Sequence, residues 1–324
     1  MSLPLLDAAP PGPVRADGRF QLGSFRGGFR TVDYDRITSR LVRTVREKRW
    51  LWYCIVQDPW ILAFAVVRTG YAASAFGFVQ RAGDADFLAD ESRMGTPQRG
   101  FVRRHEGATV ARFGSDQDPV IRLDALGSSW NVTGRFGSFE LDAECTHTGA
   151  PLAVVARVPG GIVNATEKGI GQVLRGSLRV NGQPPVDLAG ALSGYDFTHG
   201  LLGRRTAWRW AFGLGRNHVG QPIGLNVVSG FVGSAECASF GPAGPSLRTE
   251  PSFQFDATSY QKPWRIHGDG LDLTAQIGGR HLERKRLVLI RSDFLQAAAT
   301  FRGSLDLASD IRLLGVVEDQ DVTW

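Results

Sequence analysis

Between Gly100 and Cys145 the chain repeats one device: a short aromatic and β-branched run, then Gly, Asp or Ser, at a spacing of roughly ten residues. The runs Gly100–Arg104, Thr109–Phe113, Val120–Leu126, Trp130–Phe136 and Phe139–Cys145 are too short for a helix to offset its costly first turn. In Ser138-Phe139-Glu140-Leu141-Asp142-Ala143-Glu144 every second side chain is apolar, which puts one face of an extended strand on a core and the other in water. Chains punctuated in this way fold as antiparallel sandwiches or barrels. The 40 glycines among 324 residues extend the punctuation along the sequence, because tight turns between strands favour a residue without Cβ.

The most apolar stretch, Trp50 to Val67, is interrupted by Gln57-Asp58-Pro59. A polar turn at its centre excludes an integral membrane helix and predicts two strands, Trp50–Val56 and Trp60–Val67, joined as a hairpin. Further strands are predicted at Ala73–Val79, Gly224–Phe231, Ser252–Asp256, Leu271–Gln276, Leu282–Ser292 and Phe294–Arg302. Ile37, Leu41 and Val45, spaced among arginines, predict one short helix over 34–48. No repeat at a period of about 20–50 residues is found, which argues against a propeller or solenoid. The length exceeds that of a usual single core. The expected division is an extended, loosely held segment over 1–30, a first β domain over 31–188 and a second over 189–324, joined near Gln183-Pro184-Pro185.

The net charge is +5, from 37 basic and 32 acidic residues. The basic residues are scattered, and no helix-turn-helix, zinc finger or RNA-binding aromatic motif accompanies them, so nucleic acid is not an expected partner. Cys54, Cys145 and Cys237 lie too far apart in sequence for a paired-cysteine zinc site and are too few for a disulfide framework. They read as buried thiols of a reducing compartment. With no basic, apolar and small-residue leader at the start, a soluble cytoplasmic protein is expected. The six histidines lack metal-ligand spacing. Gly213-Leu214-Gly215 is followed by His218 where a dinucleotide loop requires Gly, and neither a P-loop nor a G-x-S-x-G elbow occurs. No cofactor is therefore expected.

The densest stretch is Gly194-Tyr195-Asp196-Phe197-Thr198-His199-Gly200, followed by Arg204-Arg205-Thr206-Ala207-Trp208-Arg209-Trp210-Ala211. On a strand Trp208 and Trp210 share a face. Two readings stand side by side. The rings are core filler, with Asp196 and His199 holding a turn; or the rings wall an apolar pocket in which a desolvated Asp196 donates a proton and His199 orients it.

This stretch resembles the family known as domain of unknown function 2804, itself distantly similar to carotenoid 1,2-hydratases (hydroxyneurosporene synthases) and their lipocalin-like relatives. The resemblance rests on Asn164-Ala165-Thr166-Glu167-Lys168, Gly176, Val180-Asn181-Gly182, Asp196-x-x-His199-Gly200, Arg205-Thr206-x-Trp208-x-Trp210-Ala211, Gly224-Leu225-Asn226 and Glu236. Trp50-x-Trp52 also fits. It implies an all-β chain of two lipocalin-like antiparallel β-barrel domains with one short N-terminal helix and an apolar cavity. It also implies a cofactor-independent enzyme acting on a hydrophobic small molecule, terpenoid- or polyketide-like, by acid-initiated hydration, isomerisation or cyclisation. The alternative is a non-catalytic carrier of such a ligand. Asp196 and His199 are the expected catalytic residues; Tyr195, Arg205, Trp208, Trp210, Asn226 and Glu236 are the expected ligand-binding ones. Asp196 is expected beside Trp208 or Trp210, with His199 or Arg205 within hydrogen-bonding reach. Leu201-Leu202 stand where the hydratases usually carry an aromatic residue, which sets this chain apart from the carotenoid enzymes.

Overall fold

The computed structural model describes residues 6–115, 117, 119–286, 291–306 and 308–324. The aromatic and β-branched runs form strands, and polar turns separate them. The first fourteen are β1 (Gly23–Arg26), β2 (Glu47–Gln57), β3 (Trp60–Thr69), β4 (Ala73–Arg81), β5 (Ala89–Gly95), β6 (Gly100–His105), β7 (Ala108–Gly114), β8 (Pro119–Leu126), β9 (Ser129–Arg135), β10 (Phe139–His147), β11 (Leu152–Ala156), β12 (Val163–Val180), β13 (Val186–Asp187) and β14 (Leu192–Leu201). They make one sheet in the order β5-β4-β3-β2-β14-β12-β10-β9-β8-β7-β6, with β1 on β11 and both β11 and β13 on β12. The sheet curls until β6 returns over β2 and β4: a Cβ added to Gly100 would lie 2.5 Å from that of Ala73, and Arg49 reaches the Val102 carbonyl at 3.4 Å.

The remaining nine are β15 (Arg205–Arg216), β16 (Pro222–Ser229), β17 (Ala238–Gly241), β18 (Gly244–Leu247), β19 (Ser252–Gln254), β20 (Trp264–Gly268), β21 (Leu271–Arg286), β22 (Arg291–Leu305) and β23 (Ala308–Thr323). Their order is β18-β17-β16-β15-β23-β22-β21-β20-β19. The fold is all-β, two curled antiparallel sheets that form a barrel and a half-barrel.

Alternation in β2 explains how they meet. Leu51, Tyr53 and Ile55 point into the barrel with Phe64, Val66, Phe113 and Trp130. Trp52, Cys54 and Val56 point outwards and pack with Trp210, Phe212, Leu214 and Phe301 of the second sheet. Both faces are buried, so β2 reads as one apolar run rather than an alternating one. Burying each such side chain stabilises by about 1.5–3 kcal/mol, and the second core draws on both sheets.

Several expectations need adjustment. The helix α1 spans only Arg40–Arg46, capped by the Ser39 hydroxyl, which accepts the Val42 N–H. From Glu47 onwards the chain is strand, because residues 48–56 pair with both β14 and β3 and that ladder overrides helical spacing. The segment over 1–30 is extended where described but not loose: β1 pairs with β11, and Phe29 is fully buried. Beyond the Gln183–Pro185 region β14 still belongs to the first sheet, and the chain crosses to the second between Leu201 and Arg205. The expected strand Leu282–Ser292 begins in β21, but 287–290 lie outside the described residues. All three cysteines are buried and free. Among the described residues no helix is long and apolar enough to cross a membrane.

Candidate active site between the two sheets

Register lines up two rows of side chains that face each other. On the outer face of the first sheet, Lys168 of β12 is opposite Asp196 of β14, Asp196 opposite Trp52 of β2, and Trp52 opposite Ala65 of β3. On the second sheet, Val228 of β16 is opposite Trp210 of β15, Trp210 opposite Glu318 of β23, and Glu318 opposite Gln296 of β22. All eight line one narrow crevice of about 90 Å³, together with Trp50, Val67, Phe76, Trp208, Phe231 and Glu236. Its walls are aromatic. Trp50 stacks on Trp208 with ring centroids 5.9 Å apart, and Trp52 meets Trp210 edge-on at 4.8 Å.

The charged groups sit at two places on these walls. At the first, Lys168 Nζ lies 2.7 Å from Asp196 Oδ2 and 3.7 Å from Glu236 Oε2, and 5.9 Å from the centre of the Trp210 ring. The Thr166 and Thr198 hydroxyls lie 3.0 and 3.1 Å from Asp196 Oδ1. Asn164 donates to Glu236 Oε1 at 3.1 Å. Burial works against the Lys168 ammonium, yet Asp196 and Glu236 outweigh it and hold its pKa above the ordinary lysine value. Burial likewise raises the Glu236 carboxyl, against the pull of Lys168.

At the second place Trp208 Nε1 donates to Glu318 Oε1 at 2.6 Å and Gln296 Nε2 donates to Glu318 Oε2 at 2.6 Å. Burial dominates here too: it pushes the Glu318 carboxyl up to about 7, although both hydrogen bonds favour the ionised form. The arrangement therefore offers an ion-paired carboxylate and a carboxyl that carries a proton near neutrality, on facing walls of one apolar slot. Burial of Glu318 beside donors alone, and the ion pair of Asp196 with Lys168, give the two carboxyl groups different surroundings, as acid and base roles require. Among the described residues no three His, Cys, Asp or Glu side chains converge as metal ligands.

Of the residues expected from the sequence, Asp196, Trp208, Trp210 and Glu236 line the crevice. Asn226 stands behind it, accepting from Trp210 Nε1 at 2.7 Å and donating to the Glu236 carbonyl at 2.6 Å. Tyr195 and His199 do not reach it. They are odd-numbered on β14, so they point the opposite way from Asp196. Tyr195 donates to Glu167 Oε1 inside the barrel at 2.5 Å, while His199 Nε2 faces Glu47 at 2.8 Å and Nδ1 faces the Val32 carbonyl at 3.1 Å. Arg205 lies at the exposed start of β15 and grips Asp321 at 2.9 and 2.6 Å. The expected contact of Asp196 with His199 or Arg205 is not made; Lys168 takes that place.

Residues 12–324 match the family described as Domain of unknown function (DUF2804). The chain belongs to that family. Comparison of this DUF2804 chain with curated proteins found no match. Among solved structures it is similar to kievitone hydratase from Nectria haematococca, with a TM-score of 0.52 and 11% identity over 93% of this chain and 98% of that one. At that identity the likeness concerns the fold.

Lys168, Gln296 and Glu318 were not singled out as site residues from the sequence. For Lys168 the signal was present, since it ends the Asn164–Lys168 motif and shares a strand face with Asn164 and Thr166. Glu318 had no such signal.

Proposed function

We infer that the crevice is the active site of an enzyme that protonates an apolar, unsaturated small molecule, terpenoid- or polyketide-like, and so starts its hydration, isomerisation or cyclisation. The observation that carries this reading is Glu318, a carboxyl pushed up to about 7 by burial in an aromatic wall and given only donors as neighbours. Trp208 has an N–H and no acceptor. The Gln296 amide is oriented by Trp52 Nε1, which donates to its oxygen at 3.0 Å, so its nitrogen is what meets Glu318. Both hydrogen-bond partners described for Glu318 are therefore donors, and a proton on it is free of them and offered to whatever fills the slot.

Asp196 complements it. Paired with Lys168 at 2.7 Å, it is a carboxylate placed to take a proton from water or from the carbon beside a developing cation. The faces of Trp50, Trp52, Trp208 and Trp210 suit such a cation, at about 0.5–2 kcal/mol for each favourable contact. A positioned general acid contributes about 10²–10⁴ in rate. A carrier needs the apolar walls, but it gains nothing from charged groups whose desolvation opposes folding. The hydratase of similar fold supports hydration as the first outcome to test.

The test is to incubate the protein in D2O with a lipophilic extract of its source cells and follow products by mass spectrometry. The expected result is one compound gaining the elements of water, or an isomer gaining deuterium on carbon. Glu318→Gln and Asp196→Asn should lose the product but retain the compound in native mass spectra. If the wild-type protein and both variants retain it equally and unchanged, the chain is a carrier.

A further inference from the structure

Beyond Phe294 and Trp324 the slot continues into an outer chamber of about 130 Å³, whose rim includes Tyr71, Met94 and Lys285. Apolar side chains come to the surface here. Of the nine large hydrophobic side chains exposed among the described residues, Tyr71 (38%) and Met94 (55%) stand on this rim. Leu41 (75%) and Val45 (54%) project from α1. Four residues apart, they share one helix face, and α1 buries none of its residues.

The helix and the rim are one surface. A Cβ added to Gly70, in the turn between β3 and β4, would lie 2.0 Å from the Thr44 carbonyl oxygen, so this turn rests on α1. Lys48, just past the helix, donates to the Val45 carbonyl at 2.8 Å, with its ammonium 5.1 Å from the Tyr71 ring centre and 5.3 Å from that of Trp324. The charge around it is mainly positive. Arg36 and Arg40 are exposed; Arg46 reaches the Gly160 and Leu202 carbonyls, and Arg43 pairs with Asp35. Asp33, Asp35 and Glu47 are the acidic side chains beside them, Glu47 turned to Arg49 and His199, and Lys285 on the rim is paired with Glu283 at 2.7 Å.

We propose that this face docks on an anionic lipid bilayer, with Leu41 and Val45 entering the acyl boundary and the arginines around them meeting the headgroups. A short helix that packs none of its residues contributes little to the core, whereas an apolar stripe among arginines matches an interface that is apolar below and negative above. Exposed apolar side chains set among arginines fit a charged plane that is apolar beneath. Its position adds a use: a ligand dissolved in the bilayer passes from acyl chains to the outer chamber without crossing water. The docking rests on this surface alone and holds whether the crevice catalyses or carries.

The experiment is co-sedimentation of the full chain with vesicles of phosphatidylcholine and phosphatidylserine at about 7:3, against phosphatidylcholine alone. Binding is expected to the mixed vesicles, falling as salt is raised. The double variant Leu41→Glu, Val45→Glu should bind at least about tenfold more weakly. Arg36→Ala with Arg40→Ala should flatten the salt dependence. Val219→Glu, at a 63% exposed apolar residue in the turn between β15 and β16, should bind as wild type. All sites changed are exposed, so circular dichroism should be unaltered. The proposal is overturned if wild type stays in solution with both vesicles, or if the double glutamate variant binds as wild type does. It is equally overturned if that variant breaks an oligomer while neither form binds lipid, which would make this face an interface between copies.

Discussion

Glu318 shows how one residue ties stability to chemistry. Its carboxyl has a pKa of about 7 in the folded chain against an ordinary 4.5. Below the ordinary value both states carry the proton, and the group does not oppose folding. As pH rises towards 7 the unfolded chain ionises while the folded one does not, so folding is opposed by up to roughly 3 kcal/mol. The stability advantage at low pH is therefore lost as pH rises through the folded value. Urea unfolding of wild type and Glu318→Gln at pH 5 and pH 8 should show the wild type losing about 2.5 kcal/mol relative to the variant across that range. A difference constant with pH would remove Glu318 as a neutral-pH acid. The residue was illegible in the sequence for a physical reason: Glu318-Asp319-Gln320-Asp321 looks like a solvated run, and its partners Trp208 and Gln296 arrive from other strands. Asp196, Trp208 and Trp210 were legible because one short stretch holds all three and period two sorts their faces. The same parity, applied to Tyr195 and His199, would have turned them away from Asp196.

At the scale of elements, glycines govern how closely the strands approach. A Cβ on Gly194 of β14 would lie 2.4 Å from the Phe212 ring of β15, so this glycine is the seat on which the second sheet's Phe212 rests. Gly194→Ala should destabilise by about 1–3 kcal/mol through overpacking. Combining it with Phe212→Leu should recover part of that loss, and equilibrium unfolding of the two singles and the double measures the coupling. Purely additive effects would mean that the sheets are not wedged together there. Other glycines hid β12 from the sequence. Gly169 and Gly171 read as breaks in a strand, yet a Cβ there would lie 2.6 Å from the Tyr195 ring and 2.3 Å from the Thr146 carbonyl oxygen. They permit close approach inside an 18-residue strand. Strands with alternating faces, such as β7 to β10, were legible, because half-buried faces leave a pattern in the sequence. The helix was over-extended because its arginine-flanked apolar spacing runs on into residues that a two-sided ladder claims for β2.

For the whole molecule the question is whether barrel and half-barrel behave as separate folding units. The chain length suggests two units, and the change of sheet between Leu201 and Arg205 gives them a covalent joint. The packing argues against independence. The outward face of β2, with Trp52, Cys54 and Val56, shares one core with Trp210, Phe212 and Leu214 of the second sheet. Either sheet alone would expose that apolar face to water, at about 25 cal/mol for each Å² uncovered. Five of the eight tryptophans line the crevice between the sheets, so indole fluorescence reports the joint while far-ultraviolet circular dichroism reports the strands. In urea both signals should follow one transition with the same midpoint. Separate units would part before they unfold, and fluorescence would then change at lower urea than the dichroism. Coincidence of the two curves is what a core shared across both sheets requires.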